Sequence, residues 1–176
     1  MIILPKIPTS RLKGIIPKKA RPVSLKEIDA AVEAGATQRF KAPEMIGLDT
    51  NVLLRYLVQD DPLQSPRATE IISRRLTEEE PGFVSLVTVL EVVWVLKSLY
   101  KRSREEIAND IEMVLAADTL EVQNEQEVYH AVVALRNGTG TFEDALIGSL
   151  GIWRGCSTAL TFDEKAAQRL HGFTLA

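Results

Sequence analysis

Four acidic residues of this 176-residue chain stand where a carboxylate could do chemistry: Asp49, Glu91, Asp144 and Asp163. Asp49 follows the apolar run MIGL and precedes Thr50, Asn51 and the helical run VLLRYL, and Asp163 likewise closes STALTF ahead of EKAAQRL. Asp is a favoured helix N-cap, so each of these two, taken alone, reads equally as a cap or as a ligand. Glu91 stands inside LVTVLEVVWVLKSL, a helix apolar on nearly every face and therefore expected to be buried. An ionised carboxylate without a partner is costly to bury, so Glu91 is expected to be protonated, salt-bridged or bound to a cation. Lys97 lies too far along the helix to be its i+4 partner. Asp144, in TFEDALIGSLGIW, shares a first helical turn with Glu143. The helix dipole accounts for Glu143, whereas the apolar spacing around Asp144 points it inward.

Two aspartates at strand ends and two carboxylates on helices facing the sheet can converge on one pocket, and convergence demands a cation. At about 5 Å and an effective dielectric near 20, each like-charged pair repels by about 3 kcal/mol. A hard divalent ion with oxygen ligands, Mg²⁺ or Mn²⁺, meets that need. A typical zinc site does not fit, because Cys156 is the single cysteine and His130 and His171 stand isolated on helical stretches, where a surface position is expected. Such a centre supports attack of metal-activated water on a phosphodiester, with the ion stabilising charge on the phosphate and leaving oxygen.

The elements that would position these groups can be read from the pattern after residue 45, where short apolar strands alternate with helical stretches. Strands are predicted near 45–49, 82–85, 119–122 and 157–161, with a last one at 173–175. Helices are predicted at 51–58, 63–79, 86–101, 103–117, 124–137, 142–153 and 164–170. The fold class is α/β, an α/β/α sandwich with a short parallel sheet, and its ligands are expected beyond the carboxyl ends of the strands. Residues 1–44 read differently. Pro5, Pro8, Pro17 and Pro22 forbid a continuous helix and favour an extended arm. One short helix opens at Ser24, with Glu27 completing a capping box, Leu25, Ile28 and Val32 forming an apolar stripe, and Gly35 ending it. So short a helix needs a partner surface to persist, and its stripe is expected in an apolar groove of the following domain.

Charge divides the chain at the same point. Residues 1–44 carry nine Lys/Arg against four Asp/Glu, a balance of +5, and residues 45–176 carry twelve against twenty, a balance of −8. A basic arm on an acidic body is expected rather than a uniformly basic nucleic-acid binder. No apolar run reaches the roughly 18 residues that span a bilayer, and MIILPKIP lacks the pattern of an export signal. One cysteine cannot form an internal disulfide, so a cytoplasmic setting is expected, with Cys156 as a small buried apolar residue.

MIGLDTNVLLRYLVQDD, the Glu of VTVLEVVWVL, FEDALIGSL and TALTFDEKAAQRL together resemble PIN-domain ribonucleases, and specifically VapC-type toxins, across all of 45–176. The resemblance implies that Asp49, Glu91, Asp144 and Asp163 are the metal-binding and catalytic carboxylates, with Thr50 and Asn51 supporting the first. It also implies an endoribonuclease using Mg²⁺ or Mn²⁺, structured RNA such as tRNA as substrate, a homodimer, and Met45 as the toxin's own start. Thr141 departs from the pattern, since many relatives carry another Asp there. Residues 2–40, above all PVSLKEIDAAVEAGA, resemble the toxin-binding tail of a VapB-type antitoxin without its DNA-binding domain.

A guanidinium can fork onto carboxylates and replace a divalent ion, so the arm is expected to place Arg39 in the site, with Arg21 and Arg11 as the next candidates. Six peptide steps from Arg39 to Met45 reach at most about 20 Å, which favours insertion into a neighbouring chain. The alternative, of a different class, is a closed toxin–antitoxin complex that acts as a neutralisation module without turnover. A haloacid-dehalogenase-like phosphatase also starts with Asp after its first strand, but needs a second Asp where this chain has Asn51.

Overall fold

The computed structural model describes residues 45–176. The arm, with the helix at Ser24, its Leu25, Ile28 and Val32 stripe, and Arg11, Arg21 and Arg39, lies outside the described residues. In chain order the elements are β1 (Ile46–Gly47), α1 (Thr50–Val58), α2 (Gln64–Glu70, prolonged by a π-helical turn Ile71–Arg75), β2 (Gly82–Val84), α3 (Leu86–Ser98) and α4 (Arg104–Leu115). They continue as β3 (Leu120–Val122), α5 (Glu125–Asn137), α6 (Phe142–Trp153), β4 (Ala159–Thr161), α7 (Glu164–Arg169) and β5 (Phe173–Leu175). The α/β class with short parallel strands is as expected.

All strand pairing is parallel, but in two ladders. β1 pairs with β2 (Ile46↔Gly82) and β2 with β3 (Val84↔Val122), while β4 pairs with β5 (Leu160↔Thr174). Parallel neighbours need crossovers, which the helices supply. Gly82 is required where it stands, because a Cβ there would lie 2.7 Å from Leu76 Cδ1 and 2.9 Å from Leu48 Cδ1. The core gathers Leu53, Val84, Val89, Val92, Val93, Leu96, Ile107, Ile111, Val128, Val132 and Phe142, all nearly inaccessible. Each such side chain contributes about 1.5–3 kcal/mol of apolar burial.

Helix starts follow local chemistry. Ser103 and Glu106 close a reciprocal capping box on α4, with Ser103 N donating to Glu106 Oε2 at 2.7 Å. Asp110 is buried on α4, and Arg102 holds it from two nitrogens, at 2.7 and 2.8 Å. At the end of α5, Gly138 takes φ 66°, the left-handed cap that glycine accepts without strain.

Four expectations are corrected. β1 covers two residues rather than 45–49, although Leu48 N still bonds Phe83 O at 2.8 Å. The helix expected to reach residue 79 stops at Arg75, because Leu76 turns extended and buries its side chain. Cys156 is exposed, since it sits in the loop after α6, just past Gly155 at φ 90°, and not on the strand. Glu91 is exposed too: α3 buries Val89, Val92, Val93 and Leu96, while Val87 and Trp94 share the outward side with Glu91. Among the described residues no helix is long and apolar enough to cross a membrane.

Candidate active site

The carboxyl ends of β1 and β2 and the starts of α1 and α3 are tied together. Ser85, just past β2, caps α3 by accepting from Thr88 N at 3.1 Å, and the buried Thr88 hydroxyl reaches back to Leu48 O at 3.4 Å. Beside this junction Thr50, the first residue of α1 and only 4% exposed, donates from Oγ1 to Glu91 Oε2 at 2.6 Å. A hydroxyl-to-carboxylate bond of that length is charge-assisted and fixes the direction of the carboxylate. Thr50 therefore orients Glu91. Asn51, the next residue, is exposed and makes no side-chain hydrogen bond among the described residues.

Asp49 and Asp163 both occupy N-cap positions, and the structure separates their roles. Asp163 Oδ1 accepts from Lys165 N at 2.7 Å and Ala166 N at 3.2 Å, a full cap of α7. Asp49 has the extended backbone of an N-cap, φ −80° and ψ 155°, yet its side chain makes no capping bond. Its carboxylate thus forgoes a local bond worth about 1 kcal/mol. That leaves it available for another partner.

Asp144 is held by Thr141, which sequence reasoning noted only as a departure. Thr141 caps α6, accepting from Asp144 N at 3.1 Å, and its hydroxyl donates to Asp144 Oδ2 at 2.6 Å. The pattern Thr-x-x-Asp is a capping-box spacing, so the signal was in the chain. Asp144 and Asp163 line one cavity of about 490 Å³ together with Thr141 and Glu143. The structure thus forms two groupings: Asp144 with Asp163 on the cavity, and Glu91 with Thr50, the neighbour of Asp49. It does not draw all four carboxylates together, and among the described residues no three acidic, His or Cys side chains stand close enough to hold one ion. His130 and His171 are exposed, as expected.

A family model described as PIN domain matches residues 46–170, well over half of the chain. The chain belongs to the PIN-domain family. PIN domains are in general metal-dependent nucleases that typically bind divalent metals. A comparison with curated proteins gave no match. The donor set fits a hard divalent ion, being all oxygen. Glu91 Oε1, Asp144 Oδ1, Asp163 Oδ2 and both oxygens of Asp49 accept no hydrogen bond among the described residues, so each side chain keeps a donor atom to offer.

Proposed function

We propose that residues 45–176 of this PIN-domain chain are an endoribonuclease of the VapC toxin type, dependent on Mg²⁺ or Mn²⁺. Residues 2–40 would be an antitoxin-like segment that holds it inactive. The observation that carries the reading is the state of Asp49, at a cap position without capping, beside the Thr50–Glu91 bond at the strand ends. Asp49, Glu91, Asp144 and Asp163 would hold the ion, which when bound supplies Lewis-acid activation of water and of the scissile phosphate. Thr50 and Thr141 would keep two of those carboxylates aimed. Helix α7 would keep Asp163 in place through its capped N-terminus. In the arm, the stripe of Leu25, Ile28 and Val32 would dock on the domain, and Arg39, Arg21 or Arg11 would occupy the carboxylates in place of the ion. An RNA substrate, structured RNA among the candidates, a homodimer and a cytoplasmic setting belong to the same reading.

The test is expression of residues 45–176 alone, with growth and RNA integrity followed, and cleavage assayed with Mg²⁺, Mn²⁺ or a chelator. Growth arrest and cleavage only with metal are expected, and both should disappear in Asp49→Asn and Glu91→Gln with circular dichroism unchanged. Intact RNA with a folded domain would refute the nuclease reading and favour the neutralisation module.

A further inference from the structure

The domain is acidic, yet the cavity holding Asp144 and Asp163 is not. Of the domain's twelve Lys and Arg, five line it: Lys97, Arg102, Arg104, Lys165 and Arg169. Of its twenty acidic residues only three do, Glu143, Asp144 and Asp163. A balance of −8 over the domain thus becomes +2 around this opening. Arg102 is committed to Asp110. The other four make no ion pair with an acid among the described residues, so they do not serve to neutralise the carboxylates they sit beside. Lys165 and Arg169 are four apart on α7 and share a face of it. Cations gathered around a concave site and left without acidic partners are placed for an anion with several charges.

Phe162 stands at the same site. It is 90% exposed and immediately precedes Asp163, so the two Cα atoms are about 3.8 Å apart. Its backbone is braced, since Asp163 N bonds Thr161 Oγ1 at 3.0 Å and Ala176 N bonds Thr161 O at 2.9 Å. A large ring is therefore held out in water by a fixed loop beside a cavity carboxylate. Flat apolar rings next to backbone-binding cations are how proteins take unstacked bases, whereas a duplex keeps its bases stacked inside.

We propose that this cavity takes a single-stranded segment of RNA, with Lys97, Arg104, Lys165 and Arg169 meeting backbone phosphates around the carboxylates and Phe162 stacking on an unpaired base. The proposal rests on the nuclease reading and adds the form of RNA that the site accepts. It is tested by binding, with metal chelated so that no turnover intervenes. A labelled single-stranded RNA decamer and the same sequence as a duplex are titrated against the full 176-residue chain and against the full chain carrying Ile28→Asp and Val32→Asp. Phe162→Ala should weaken single-strand binding about ten-fold and Phe162→Trp should retain it. Lys165→Ala with Arg169→Ala should flatten the log–log dependence of affinity on salt by about 1.4, two phosphates' worth. Equal affinity for the duplex, no effect of Phe162→Ala, an unchanged salt slope, or no binding by either full chain overturns it. The two readings fail separately: binding as described without cleavage when metal is added removes the nuclease reading alone, while cleavage indifferent to Phe162→Ala removes this one.

Discussion

Thr50→Val replaces a hydroxyl by a methyl of nearly the same shape, so its effect isolates the bond to Glu91. Hydrogen bonds to charged groups contribute roughly 1.5–3 kcal/mol when both partners are buried. Here the donor is buried and the 2.6 Å acceptor belongs to an exposed residue, whose oxygen can return to water. About 1 kcal/mol is therefore expected. A double-mutant cycle of Thr50→Val and Glu91→Ala, followed by urea unfolding with metal chelated, measures it directly. Any repulsion between Glu91 and Asp49 is lost in both legs that remove Glu91, and so cancels from the coupling. With a slope of about 1.5 kcal/mol per molar urea, Thr50→Val should lower the midpoint by about 0.7 M, and adding Glu91→Ala should cost little more. Coupling below about 0.3 kcal/mol would refute the claim that Thr50 holds Glu91.

Asp163 both caps α7 and faces the cavity, and the two roles should part: Asp163→Asn, an equally good cap, should keep the melting temperature but lose cleavage, while Asp163→Ala should lose both, at about 1 kcal/mol of stability. Gly148→Ala would place a Cβ 2.8 Å from Phe173 Cε2 and 3.0 Å from His171 O, so a loss of about 2 kcal/mol is expected in thermal melting, and an unchanged melt would contradict the packing of α6 on the β5 segment. Asp60 accepts from the Tyr100 hydroxyl and from Arg55, and these hold its carboxyl below the ordinary range. A depressed carboxyl stabilises above its unfolded pKa of about 3.9 and loses that contribution as the pH falls through its folded value. Native protein and Asp60→Asn should therefore differ in urea midpoint at pH 6 and converge below about pH 3; a gap that persists in acid would count against the ion-paired geometry.

Element order was readable because α4, α5 and α7 open with polar caps or acidic first turns and close at Ala116, Gly138 and Leu170, where the apolar period breaks. The π-helical turn Ile71–Arg75 has no such signal, since IISRR suits an ordinary helix equally well. Glu91 was misread through hydropathy: the stripe Val89, Val92, Val93 and Leu96 already gave the buried face at i, i+3, i+4 and i+7, and Glu91 lies off it. An apolar residue such as Trp94 is at no great disadvantage on a surface, so total hydropathy overstated burial. The carboxylates were found because acids at strand ends invite attention. Their grouping was not, because sequence carries no distance between β1 and β4.

That distance has a mechanical basis in the two separate ladders. Along β1, β2 and β3 each strand is fixed to the next by peptide hydrogen bonds, and β4 is fixed in the same way to β5. Among the described residues no backbone hydrogen bond crosses from residues 45–49 to residues 157–163. A ladder resists sliding because every increment of shear breaks aligned bonds, whereas side chains packed across a seam can change rotamer and yield. Asp49 rides on one side of that seam and Asp163 on the other. The spacing between them is therefore the softest dimension of the site, set by the balance between the repulsion of like charges and whatever cation stands between them.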